Sequence, residues 1–316
     1  MNKTKLIMNG RLLPQLEVAL TAEYDLCSLW QQASPEDFLK QHGHAFTALV
    51  TSAKTGASTA LINALPALKV ISVFGVGYDA VDVATAHQRG IQVGYTPEVL
   101  NDCVADTAMG LLIDVARQFS ASDRYLRAGE WLKAPFPLTT RVSGKRLGIF
   151  GLGRIGQTIA RRASGFDMEI RYHNRRQNPD LPYAFEPTLA ALAEWCDFLV
   201  VASSGGAETK HLISSDILKK LGPKSFLINI SRGSVIDEQA LVEALEQGLI
   251  AGAGLDVYAD EPNVPERLLR LDNTVLLPHL ASATRETRQA MADLVFENLA
   301  AFFKTGRVTV SVPSAT

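Results

Sequence analysis

The stretch Lys145-Arg146-Leu147-Gly148-Ile149-Phe150-Gly151-Leu152-Gly153-Arg154-Ile155-Gly156 decides the fold. Its first half is an apolar run behind two cations, the pattern of a strand buried on both faces. Its second half reads G-x-G-x-x-G, and Ile159, Ala160 and Ala163 beyond it lie on one helical face. Strand, tight turn and helix in that order are the fingerprint of a dinucleotide site. Gly151 permits the turn, Gly153 lets backbone approach a pyrophosphate, and Gly156 allows close helix–strand packing. The new helix opens with Arg154 and Ile155, and its N-terminus attracts the anion. With 23 glycines in the chain the spacing also arises in ordinary loops, so the flanking strand and helix carry the assignment.

An NAD site usually places an Asp or Glu about 20 residues further on, accepting from the ribose 2′-hydroxyl. Here that window reads Tyr172-His173-Asn174-Arg175-Arg176 and holds no acid. Arg175 and Arg176 instead offer planar, permanently charged donors to a 2′-phosphate. A solvated basic loop is the bland alternative. The pair predicts NADP(H) as the preferred cofactor, with NAD(H) as the second, and Asn174 joins the cofactor residues.

Working outward, strand-like runs alternate with helix-like segments, which predicts parallel α/β architecture. Strands are expected at Lys5–Met8, Ala48–Val50, Val70–Val73, Ile91–Val93, Glu169–His173, Phe198–Ala202, Phe226–Ile230, Ala253–Asp256 and Thr274–Leu277. One long helix is expected from Asn101 to about Arg127, ended by Gly129, and another from Glu286 to about Lys304. The length of 316 residues suits two domains, and a net charge of −2 gives no footprint for nucleic acid or an anionic membrane. No apolar run reaches the length of a membrane span, and the N-terminus makes a poor signal peptide. Cys27, Cys103 and Cys196 lack metal-ligand or disulfide spacing, which suggests a reducing, cytoplasmic setting and no metal site.

Three downstream segments each place a reactive side chain beside an apolar strand: Arg232 in Asn229-Ile230-Ser231-Arg232-Gly233, Glu261 in Gly254-Leu255-Asp256-Val257-Tyr258-Ala259-Asp260-Glu261-Pro262, and His279 in Leu277-Pro278-His279. Each alone reads as an ion pair, a turn cap or an ordinary histidine. Loops beyond the carboxyl ends of parallel strands, however, converge on one crevice.

With these motifs the chain resembles the D-isomer-specific 2-hydroxyacid dehydrogenases. The similarity covers residues 70–306, and the whole length fits. Glu261 follows Arg232 by 29 residues and His279 follows Glu261 by 18, as in that family. Residues 94–106 and the arginine pair are most similar to the glyoxylate/hydroxypyruvate reductase branch. The resemblance implies NADPH-dependent reduction of a small 2-keto acid, such as glyoxylate or hydroxypyruvate, to the D-2-hydroxy acid. His279 is then the general acid, Glu261 orients its imidazole and favours the charged form, and Arg232 binds the substrate carboxylate. Val76 and Gly77 offer backbone N–H groups to that carboxylate, and Ser282 also touches substrate. On the cofactor side the resemblance adds Ser203, Ser204, Thr209, Ile230 and Asp256, the last facing the nicotinamide carboxamide.

It further implies two Rossmann- or flavodoxin-like parallel-sheet domains with an active-site cleft between them. Residues 1–97 plus 286–316 form the substrate domain, and 98–285 the NAD(P)-binding domain. A homodimer is expected, through the helix from Asn101 and the loop around Trp131. Two departures stand out. Ser204-Gly205-Gly206-Ala207-Glu208-Thr209 replaces a proline-containing loop, and Phe136 stands where a partner tryptophan closes the pocket in this branch. The rivals are a dehydrogenase of the same superfamily with another substrate, and a dinucleotide-sensing, corepressor-like binding protein.

Overall fold

The apolar runs enter two parallel sheets in the computed structural model, which describes residues 3–313. The chain divides into two units: one runs through Leu100 and resumes at Thr284, and the other is Asn101–Ala283.

In the first unit the strands are β1 (Lys5–Asn9), β2 (Asp25–Ser28), β3 (Ala48–Ser52), β4 (Val70–Phe74) and β5 (Gln92–Gly94). Their order, β2-β1-β3-β4-β5, is the flavodoxin-like order. Ile7, Leu49, Ile71, Val73 and Val93 are buried together in its core. The terminal helix Arg285–Thr305 returns to this sheet, where the Ser72 hydroxyl donates to Val295 O at 3.2 Å. Its buried Asn298 donates to Tyr95 O at 3.2 Å and accepts from Val310 N at 2.9 Å, so a polar residue sits on a face expected to be apolar.

The second unit holds β6 (Arg146–Phe150), β7 (Glu169–His173), β8 (Ala184–Phe185), β9 (Phe198–Val201), β10 (Phe226–Asn229), β11 (Gly252–Leu255) and β12 (Thr274–Leu276). The sheet order is β12-β11-β10-β9-β6-β7-β8, which is the doubly wound Rossmann order with one added strand. The order reverses at β6, where the glycine turn leaves the sheet. β9 and β10 are buried along their whole length, as runs covered by helices on both sides must be.

The helix expected over 101–127 is two helices, Asn101–Arg117 and Phe119–Arg127. Gln118 between them is left-handed at φ 54°. Asp114 rewards the break: its carboxylate accepts the Ser120 N–H at 2.9 Å, and the Ser120 hydroxyl as well, and so caps the second helix. Edge strands β2 and β8 escape the apolar pattern because they are short and only partly buried.

The strand that launches the glycine turn is fastened at its base. Asp197 accepts from Arg146 N at 2.9 Å and from the Arg146 guanidinium at 3.2 and 2.9 Å. Burial pushes the Asp197 carboxyl up, but these Arg146 bonds outweigh it and hold the carboxyl below its ordinary range. A depressed folded-state value means stabilisation above the unfolded carboxyl pKa of about 3.9, lost as pH falls through the folded value. Asp197→Asn should therefore cost about 1 kcal/mol at pH 7. In urea unfolding across a pH series, the gap to the wild type should close toward acid pH.

Candidate active site

The turn after β6 is built by contact. A Cβ on Gly151 (φ 99°) would stand 2.4 Å from Ser203 N, because the end of β9 lies directly against it. One on Gly156 would stand 2.3 Å from Gly151 O, so the helix Arg154–Ser164 starts hard against the turn. Gly153 differs: nothing lies within 4 Å of its Cβ position, and the space before the helix N-terminus is open. Asn174 accepts the Leu152 N–H at 2.8 Å and braces the turn from the end of β7. Arg154, Arg175, Arg176 and Ser204 are exposed around it, and Ile155 is half-buried. The Ser203 hydroxyl oxygen is buried with no hydrogen-bond partner among the described residues. Thr209 Oγ1 donates within its own loop, to Ser204 O at 2.8 Å. Open space in front of a helix N-terminus, an orphaned hydroxyl and two exposed arginines fit a phosphorylated dinucleotide.

The second part begins at the end of β10. Asn229 is fully buried, and its Oδ1 accepts from Ser231 N and Ser231 Oγ, both at 3.0 Å. Its amide donates to Arg232 O at 3.0 Å, so one side chain shapes the turn that carries Arg232. The Arg232 guanidinium donates to Ser231 O at 2.8 Å. A Cβ on Gly233 would lie 1.9 Å from the Tyr258 carbonyl carbon. Only glycine lets the loop after β11 close onto the Arg232 turn. Ile230 is buried beside it.

The loop after β11 in turn holds the loop after β12. Asp256, 1% exposed, accepts from Leu280 N at 2.7 Å and Ala281 N at 3.0 Å. The Tyr258 hydroxyl donates to Leu277 O at 3.0 Å. Glu261 accepts the Tyr258 N–H at 3.2 Å through Oε1, while its Oε2 meets His279 Nδ1 at 2.8 Å. His279 is left-handed at φ 53°, a conformation that costs a non-glycine residue about 1–2 kcal/mol, so the anchors on either side of it are what hold it. Its ring is 42% exposed and Glu261 is 16% exposed, which leaves Nε2 as the nitrogen for exchange with a ligand.

Burial pushes the Asp256 carboxyl up, against the pull of the two N–H bonds and of His279. Burial, then the Asp256 and Glu261 charges, drives the Tyr258 phenol upward too, so it stays a donor at neutral pH. A positioned imidazole with its other nitrogen tied to a carboxylate is equipped to give and take a proton, and a nearby guanidinium to grip a carboxylate.

The structure thus brings Arg232, Glu261 and His279 onto neighbouring loops of one sheet. Asp256 also belongs there, with both oxygens engaged by backbone N–H groups. Ser282 is half-buried in the turn closed by Ala283 N to Leu280 O at 2.7 Å. Val76 and Gly77 lie in the first unit, in the loop after β4, where Gly75 N donates to Thr96 Oγ1 at 3.0 Å. Among the described residues no group of three or more His, Cys, Asp or Glu is placed to hold a metal. Asn229 and Tyr258 join the site without a motif to mark them. A lone amide closing the apolar run Phe226-Leu227-Ile228 was the available sign for the first.

Residues 109–281 match the family described as D-isomer specific 2-hydroxyacid dehydrogenase, NAD binding domain. The chain is 46% identical over 288 residues to the hydroxyphenylpyruvate reductase of Plectranthus scutellarioides, covering 91% of this chain and 92% of that one. It is 45% identical over 288 residues to the glyoxylate/hydroxypyruvate reductase A of Arabidopsis thaliana, with the same coverage of 91% and 92%. Among solved structures, the NADPH-dependent glyoxylate/hydroxypyruvate reductase of Sinorhizobium meliloti, in complex with NADP and malonate, is 40% identical. It matches with a TM-score of 0.91 over 100% of both chains.

Because a Cβ at Gly233 would collide with the Tyr258 backbone, Gly233→Ala should part the Arg232 turn from the Glu261 loop. With glyoxylate as the assay substrate, kcat/KM should fall roughly 100-fold while circular dichroism stays that of the wild type. Unchanged kinetics would mean that the close approach has no catalytic role.

Proposed function

The chain belongs to the D-isomer-specific 2-hydroxyacid dehydrogenases, and from that premise we propose an NADPH-dependent reductase of glyoxylate or hydroxypyruvate that works as a homodimer. It is an NAD(P)-dependent oxidoreductase that reduces small 2-keto acids. The observation that carries keto-acid reduction is the His279–Glu261 pair at 2.8 Å, one loop away from Arg232.

In this reading the Arg232 guanidinium grips the substrate carboxylate and polarises the keto group. His279 gives the proton on Nε2 to the keto oxygen as that oxygen gains charge. Glu261 keeps the ring oriented by holding Nδ1. The bound nicotinamide supplies the hydride. Hydroxypyruvate leaves as the D-2-hydroxy acid. Val76, Gly77 and Ser282 are assigned to substrate on the family resemblance. On the same ground the first unit is the substrate domain, and the second the cofactor domain with Gly151, Gly153, Gly156 and Ser203 around the dinucleotide.

Arg175 and Arg176, with no acid among residues 172–176, support NADPH over NADH. The odd number and scattered spacing of Cys27, Cys103 and Cys196 support a cytoplasmic setting. No helix among the described residues is long and apolar enough to cross a membrane.

The dimer is supported by a run of exposed apolar side chains. Phe119, Leu126, Trp131, Leu132 and Leu138 are all exposed, Leu132 by 94%, on the helix Phe119–Arg127 and the segment after it. So many large apolar side chains in one region fit a surface covered by a second copy. Phe136 packs edge-on against Tyr125 of its own chain, with ring centroids 5.3 Å apart.

His279→Gln should lower kcat for glyoxylate and hydroxypyruvate by about 10²–10⁴-fold, with NADPH affinity kept, since general acid catalysis contributes about that much. Wild-type kcat/KM should be higher with NADPH than with NADH. Full activity of His279→Gln would remove the imidazole from the mechanism. Light scattering should give twice the chain mass, and Leu132→Asp should shift it toward the monomer.

A further inference from the structure

The acid missing from the segment 172–176 is brought in by the fold. Glu208 forms an ion pair with Arg175 through Oε2 and Nη1. The two residues are 33 positions apart, on loops that leave β9 and β7. Those strands flank β6 on either side, so the pair joins across the strand end from which the glycine turn springs.

Both partners are aimed by their own loops. On the β9 side, Thr209 N donates to Gly206 O at 3.2 Å and Thr209 Oγ1 to Ser204 O at 2.8 Å, which folds Ala207–Thr209 into a tight 3-10 turn. Gly206, at φ 131°, provides the bend that a bulkier residue would resist. On the β7 side, Gly151 N donates to His173 O at 3.0 Å and Leu152 N to Asn174 Oδ1 at 2.8 Å, so Arg175 starts from a fixed point beside the turn. The side chains are 83% and 75% exposed. A contact so open to water is worth little, and a phosphate of nearly two charges displaces a carboxylate from it.

We infer that Glu208 is a cofactor-specificity residue. It occupies Arg175 as an internal rival of the ribose 2′-phosphate. The preference for NADPH over NADH is therefore held below what Arg175 and Arg176 alone would set. This rests on the reading of Arg175 as a 2′-phosphate ligand.

The test is equilibrium binding, read by intrinsic fluorescence on the full chain. Wild type, Glu208→Gln, Arg175→Gln and the double variant are titrated with NADPH, with NADH, with adenosine 2′,5′-bisphosphate and with 5′-AMP. Glu208→Gln should tighten NADPH and the bisphosphate about fivefold, the scale of one exposed charge contact, and should not tighten NADH or 5′-AMP. In the Arg175→Gln background that gain should vanish. An unchanged ratio of NADH to NADPH affinity, or a gain that persists without Arg175, overturns the assignment. A wild type that binds NADH more tightly than NADPH would instead sink the NADPH reading, while the shift in the ratio would still decide the role of Glu208.

Discussion

The two hydrogen bonds from Leu280 N and Ala281 N to the Asp256 carboxylate are the constraint on which the site depends. His279 precedes them in a left-handed conformation that an unanchored chain would leave. Tyr258 holds the other side at Leu277 O, and Glu261 holds the ring itself. The segment from Asp256 to Glu261 thus fixes the backbone before the histidine, the backbone after it and the orientation of its imidazole. A buried carboxylate bonded to two N–H groups is a strong acceptor in a low dielectric, and it holds a loop far more firmly than an exposed pair would.

Sheet order then distributes the chemistry. β10, β11 and β12 lie side by side, with Asn229 opposite Leu255 and Leu255 opposite Leu276, so the loops bearing Arg232, Glu261 and His279 emerge next to one another. The glycine turn leaves β6, and β9 alone separates it from this group in the sheet. The His279–Glu261 pair with Arg232 and the glycine turn therefore emerge at the same end of the sheet but in different halves of it. Gly233 closes the first group by backbone contact, and Gly151 closes the second in the same way.

Much of this was legible in the sequence, because fully buried strands such as Phe226–Asn229 leave unbroken apolar runs and the glycine spacing is tied to backbone contact. The expected strand at Glu169–His173 matches β7 residue for residue. What stayed hidden depends on partners distant in the chain. The break at Gln118 required Asp114 to cap a helix that begins after it, and periodicity alone runs straight through. The resemblance assigns Asp256 to the cofactor; its bonds to Leu280 and Ala281 join segments 24 and 25 residues apart and have no local signature. Asn298 was hidden for the same reason, since its partners Tyr95 and Val310 come from other segments of the chain.

The two acids that matter outside the Glu261–His279 pair are used in opposite ways, and solvent decides which. Asp256 is sealed in, so its charge is expensive and its bonds are hard to exchange; burial raises its carboxyl even with two N–H donors in place. Glu208 lies in water, where its bond to Arg175 forms and breaks at little cost. A residue that must hold the His279 loop in place needs the first environment. One that must yield to an incoming phosphate needs the second. A net charge of −2 conceals both, because what matters at each place is the dielectric around a single carboxylate and not the sum over 316 residues.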